Sequence, residues 1–161
     1  IAHWPRGIGA KNELRHQPGH LIDVMATCVA VSGAAYPAEF RGKPVTPMEG
    51  RSLVPAFKNE LLQRDALYWE HEGNAAIRVG DLKLVRQGAN GFWELFDLKT
   101  DRTELHDLAA AQPGKAKELA AKWEAWDERA HVKPYPGADG PKKKGKAKAK
   151  NTKAGSDASG S

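Results

Sequence analysis

From Ala66 to Leu98 the chain reads ALYWEHE, AAIRV, LKLV and WELFDL, four short runs separated by Gly73-Asn74, Gly80-Asp81 and the loop QGANGF. Short runs rich in branched and aromatic residues, punctuated by Gly-Asn and Gly-Asp pairs that suit tight turns, are the pattern of antiparallel strands. Four such strands are expected here. A helix follows over about Pro113 to Ala130, because Pro113 suits a first helical turn and Ala116, Leu119, Trp123, Trp126 and Ala130 repeat at helical spacing. That stripe is expected to lie across one face of the sheet.

Upstream the patterning changes. IAHWP reads as a strand already under way, and the chain opens on Ile1 rather than on a methionine, so it is expected to be a piece of a longer protein. A Gly-rich turn (Arg6 to Lys11) leads into HLIDVMATCVAVSG, which places Leu21, Val24, Met25, Cys28 and Val31 on one stripe of a packed helix ended by Gly33. Residues 34–64 are irregular, with Pro37, Pro44, Pro47 and Pro55 breaking any period and SLVPAF offering a short apolar anchor. No internal repeat is present.

The far end has no aromatic or branched aliphatic residue from Gly137 to Ser161, so it is expected to be a disordered Lys/Ala/Gly/Ser tail. Seven lysines from Lys142 to Lys153, against Asp157 alone, supply more than the whole net charge of +5. The basic balance therefore says nothing about a basic face on the folded part. A loosely polyanion-binding or solubilising role suits the tail better than specific nucleic-acid recognition, which needs interleaved aromatics or a folded reading element. No apolar run approaches the length that spans a bilayer.

Three groups of residues carry candidate chemistry. In a regular strand Glu70 and Glu72 share one face while His71 points to the other, so they do not converge without a bulge, and a solvated strand face accounts for the glutamates. His16, His20 and Asp23 form H-x3-H-x2-D at a helix start, a spacing compatible with metal ligation but better matched to capping and local hydrogen bonds. Cys28 is the single cysteine, which excludes an internal disulfide; on the apolar stripe, without a basic neighbour in its helix, it is expected to be a core thiol rather than a nucleophile.

In series, IAHWPRGI, RHQPGHLIDVMATCVAVSGA, GRSLVPAF, YWEHEGNAAIRVGDLKLV and WELFDLKTDRTELHDLAA resemble the carboxy-terminal third of a bacterial arylsulfatase, over about residues 1–136. The most specific stretch is AIRVGDLKLV followed by ELFDLKTDRTELHDLA, in which Phe96, Arg102 and Asp107 stand where the family usually has tyrosine, proline and asparagine.

The resemblance implies an α/β, alkaline-phosphatase-like sulfatase fold, represented here mainly by a small four-stranded antiparallel sheet packed on a C-terminal helix. Residues 1–35 would end the large catalytic domain, 36–65 would be an irregular connection, 66–136 the small sheet-plus-helix subdomain and 137–161 the tail. It also implies hydrolysis of sulfate esters by a formylglycine, made from the first residue of a C-x-[PA]-x-R motif, with a calcium ion. Cys28 begins C-V-A-V-S, with Ser32 where arginine is required, so nucleophile and calcium ligands are expected upstream of Ile1 and no catalytic or metal residue within the chain. His71 and Asn74, at the hairpin turn, are the candidates for lining the substrate pocket. A periplasmic or secreted location is the family expectation. The competing readings are a non-catalytic binding module with a polyanion-binding tail, and a phosphonate or phosphodiester hydrolase on the same scaffold.

Overall fold

The computed structural model describes residues 1–133, so the tail and its expected disorder lie outside the described residues. Four strands, β3 (Leu67–His71), β4 (Asn74–Val79), β5 (Leu82–Arg86) and β6 (Trp93–Asp97), form one antiparallel sheet in the order β3-β4-β5-β6, as the run of turn-separated strands requires. They are preceded by helix α1 (Asp23–Ser32), the two-residue strands β1 (Glu39–Phe40) and β2 (Lys43–Pro44), and the short helix α2 (Val54–Phe57), and are followed by helix α3 (Pro113–Ala130).

The register places Tyr68, Ile77, Leu84 and Leu95 in one row across the sheet. Because side chains alternate between faces, this row and its neighbours Ala75 and Trp93 form a continuous apolar surface. Helix α3 crosses it and buries Leu119 and Trp123 there. Ile77, Leu84, Leu95 and Trp123 have no solvent exposure, and full burial of such aliphatic side chains is worth about 1.5–3 kcal/mol each.

Trp123 does more than fill space. Its indole Nε1–H donates to the Trp69 carbonyl oxygen at 3.0 Å, tying the helix to the edge strand β3. Its ring meets Trp93 edge-on with centroids 5.8 Å apart, and the Arg86 guanidinium lies 4.7 Å from the Trp93 ring and 5.2 Å from the Trp123 ring. Farther along α3, Trp126 stacks on Tyr68 at 5.1 Å with only 7° between planes. Asp127 is buried one turn beyond Trp123 and pairs with Lys133 at 2.6 Å.

The outer edge of β6 is closed by the segment that follows it. Asp107 Oδ1 accepts the backbone N–H groups of Leu95 and Ala109 at 2.9 and 2.8 Å, and the Leu108 N–H donates to the Leu95 carbonyl oxygen at 2.7 Å. Asp101 in turn accepts from the N–H groups of Leu105 and His106, both at 2.8 Å. The run TDRTELHDL is thus a chain of side-chain-to-backbone turns that pairs an otherwise open sheet edge.

Several sequence expectations need correction. Residues Ile1–Pro5 form no strand; the Trp4 carbonyl oxygen instead accepts from Gly7 and Ile8 in a tight turn. The first hairpin turns at Glu72-Gly73, both with positive φ (52° and 86°), so that Asn74 is already the first residue of β4. Residues 34–64, though largely irregular, include the β1–β2 hairpin and α2.

The stripe on α1 also faces the other way. Leu21 is 82% and Met25 59% exposed, and Cys28 is exposed rather than a core thiol, while Asp23 and Ala26 are the residues turned inward. The cause is polar: Asp23 is held by the Arg51 N–H and the Arg64 guanidinium from the chain that packs against α1, besides the local His20 N–H, and Thr27 accepts the Leu53 N–H at 2.9 Å, so this face of the helix is pinned to the segment that follows Gly50. Gly33 ends the helix as expected, with φ 69°. Ala130 on α3 is exposed too, lying at the last turn beyond the sheet.

Replacing Trp123 with alanine should lower the unfolding free energy by about 3–5 kcal/mol, measured by urea denaturation followed by circular dichroism. Trp123→Phe should lie between, since it keeps most of the volume but loses the bond to Trp69, worth about 0.5–1.5 kcal/mol. An unchanged midpoint for Trp123→Ala would show that α3 is not the element that holds the sheet.

Candidate functional site

His71 ends β3 and sits opposite Asn74 across the two-residue turn, both exposed. The acidic neighbours of His71 are engaged locally or turned away. Glu70 Oε1 accepts the Gly73 N–H at 2.7 Å, so this carboxylate braces the turn. Glu72 occupies the left-handed region within the turn and does not share a strand face with Glu70, which corrects the regular-strand expectation. Asn74 donates through Nδ2 to the His71 carbonyl oxygen at 2.8 Å and accepts the Gly88 N–H at 2.9 Å, tying the hairpin to the loop between β5 and β6. The structure therefore brings His71 and Asn74 together at one end of the sheet, with the Asn74 amide occupied in the turn.

The group H-x3-H-x2-D resolves differently. His16 is exposed, while His20 and Asp23 meet through the backbone: Asp23 Oδ2 accepts the His20 N–H at 2.8 Å. Asp23 Oδ1 accepts the Arg51 N–H at 2.8 Å, and the Arg64 guanidinium reaches Oδ2 at 2.6 Å. Asp23 is fully buried. Burial alone pushes its carboxyl upward, but the Arg64 guanidinium and the N–H groups of Arg51 and His20 outweigh that and hold it below the usual aspartate range. Gly50 allows this close passage, since a Cβ there would fall 2.1 Å from the Ile22 carbonyl oxygen.

Beside this knot lies a cavity of about 630 Å3, between the start of α1, residues 48–51, β3 and the end of α3. Its walls include His20, Arg51, Arg64, Tyr68, Trp126 and Arg129. Arg129 is paired with Glu49, whose carboxyl is held below its usual range first by that hydrogen bond. Tyr68 is raised above its usual value by burial. Sequence reasoning singled out His20 but not the arginines, which are scattered over 78 positions and converge only through the fold. A second cavity, about 900 Å3, is lined by the N-terminal segment and Leu53, Ala56, Phe57 and Leu62, and is mostly apolar.

Neither region suits a metal. Among the described residues no three histidine, cysteine, aspartate or glutamate side chains converge to hold one, and both oxygens of Asp23 already accept donors from the protein. The calcium expected of the resemblance does not fit these residues.

The likenesses to known proteins run over most of the described residues. No family model matches the chain. An uncharacterized sulfatase of Schizosaccharomyces pombe is 29% identical over 110 residues, 64% of this chain and 20% of that protein. The N-acetylgalactosamine-6-sulfatase of Mus musculus is 26% identical over 102 residues, 63% of this chain and 18% of that protein. The crystal structure of Ps i-CgsB, also solved with k-i-k-neocarrahexaose, matches with a TM-score of 0.62 at 26% identity, covering 77% of this chain and 27% of that one. The chain is similar in sequence to sulfatases. It spans about a fifth of the length of the curated relatives it matches. The expected four-stranded antiparallel sheet and C-terminal helix are present, and the fold is similar to that of Ps i-CgsB and of a putative sulfatase from Bacteroides thetaiotaomicron, the latter with a TM-score of 0.52 at 23% identity over 68% of this chain and 24% of that one.

The Asp23 knot sets a pH dependence. A folded-state pKa below the ordinary value of about 3.9 stabilises the native chain above that value, and the contribution is lost as pH falls through the lower folded-state pKa. The thermal midpoint should therefore drop steeply below about pH 4, and Asp23→Asn should start lower at pH 7 and show a shallower acid limb. Parallel acid limbs for wild type and Asp23→Asn would remove Asp23 from this role.

Proposed function

We propose that this chain is the carboxy-terminal portion of a bacterial arylsulfatase-type enzyme, a sulfuric ester hydrolase whose formylglycine and calcium ligands precede Ile1. The observation that carries this reading is the agreement of two likenesses: the chain aligns in sequence with two sulfatases over more than three fifths of its length, and its fold is similar to that of a putative sulfatase from Bacteroides thetaiotaomicron. In such an enzyme the formylglycine supplies the nucleophile and the calcium ion the charge that holds the sulfate oxygens. The residues of this chain have a different task. They complete the fold, and the exposed His71 at the hairpin end contributes a wall that touches the leaving group.

The relatives narrow the substrate class. The mouse relative is named for N-acetylgalactosamine-6-sulfate chemistry and Ps i-CgsB was solved with a neocarrahexaose, so a sulfate ester carried on a sugar is the substrate class we assign.

The test is turnover. A polypeptide carrying this chain together with its preceding region should release sulfate from aryl sulfates and sulfated sugars, whereas the 161-residue chain alone should release none, with or without Cys28→Ala. Turnover by the chain alone, abolished by Cys28→Ala, would overturn the reading. In the active polypeptide, His71→Ala should raise KM with the melting temperature unchanged, because an exposed residue beside a turn has little packing to lose. Identical kinetics would return His71 to a plain hairpin residue.

A further inference from the structure

The 630 Å3 cavity beside the Asp23 knot combines two kinds of surface that rarely adjoin by accident. One wall is aromatic: Tyr68 and Trp126 are stacked nearly parallel and both line the cavity. Stacked on each other, the two rings leave their outward faces and edges as apolar surface of the kind that receives the C–H face of a sugar ring. The other wall is cationic. Arg51 is exposed and its guanidinium has no hydrogen-bond or ion-pair partner among the described residues, its backbone N–H alone being held by Asp23. Arg64 gives Nη2 to Asp23, but its Nε–H is buried without a partner. A buried donor left unpaired has lost its hydration without replacement, a penalty that an acceptor arriving with a ligand would recover.

The acidic groups do not cancel this wall. Glu49 is turned onto Arg129, and Asp23 is saturated by its three donors. Among the lining residues Asp65 is the remaining carboxylate, exposed at the rim, where it suits a sugar hydroxyl.

We infer that this cavity is a subsite for a sulfated or otherwise anionic sugar unit, with the ring against the outer surface of the Tyr68–Trp126 stack and the anionic group on Arg51 and the Arg64 Nε–H. The inference rests on the sulfate-ester reading for its substrate class but concerns a place separate from the hairpin end at His71. It makes the chain a contributor to substrate binding rather than a cap on the fold alone. The larger apolar cavity at the N-terminal segment offers no comparable set of unengaged donors.

The test uses the 161-residue chain labelled with 15N, titrated with an oligosaccharide containing N-acetylgalactosamine-6-sulfate, with its desulfated counterpart and with inorganic sulfate. Saturable shifts at the Trp126 indole N–H and the Arg51 and Arg64 Nε–H signals, stronger for the sulfated sugar than for either control, are expected. Arg51→Ala should weaken that affinity at least about tenfold, the size of one charge-assisted contact, with the melting temperature unchanged. Binding of inorganic sulfate as tight as that of the sugar would make the site a simple anion site and overturn the inference. Equal affinity for the desulfated sugar, absence of saturable shifts, or an Arg51→Ala variant with unchanged affinity would overturn it as well. Sulfatase turnover is measured separately on the longer polypeptide, so loss of one conclusion leaves the other standing.

Discussion

The structure depends on the burial of one indole. Trp123 is the largest side chain without exposure, and it joins three things: the apolar row of the sheet, the backbone of the edge strand through its N–H, and the Arg86–Trp93 stack on β5 and β6. A buried indole without a partner for its N–H would oppose folding, and the Trp69 carbonyl supplies that partner from a strand whose outer edge is otherwise open. The same helix then places Trp126 against Tyr68 and Arg129 against Glu49, so the walls of the candidate subsite are positioned by the packing of α3.

The opposite edge of the sheet is handled by aspartates rather than by a helix. Asp97, Asp101 and Asp107 each accept backbone N–H groups within a short stretch after β6. Asp107 stands where the resemblance expects asparagine, and either side chain offers an oxygen that accepts from Leu95 and Ala109, which explains why the substitution is tolerated. The stretch that carries the most specific part of the resemblance is thus a device for ending a sheet.

The two helices behave oppositely for one physical reason. Helix α3 has an apolar stripe and a sheet to cover, so hydrophobic burial decides its orientation. Helix α1 has an apolar stripe too, but the chain packed on its other side presents N–H groups and a guanidinium to Asp23. Leaving that buried carboxylate or Arg64 unpaired would cost several kcal/mol, whereas the described residues offer the apolar stripe of α1 no surface to bury against.

The sequence by itself determined what short-range pattern encodes: four strands from alternating runs and turn residues, a helix from Pro113 to Ala130 with Leu119 and Trp123 inward, and the end of α1 at Gly33. It also carried the order of motifs by which the likeness to sulfatases is recognisable. Tertiary structure decided the rest. Which face of α1 turns inward, whether Glu70 works in a turn or in a site, and whether Arg51, Arg64 and Arg129 share a wall depend on partners 28, 3 and 13 to 78 positions away. Periodicity reports that a helix has an apolar side but not what lies against it, and a charge in the sequence has no direction until the backbone brings its partner within about 3 Å.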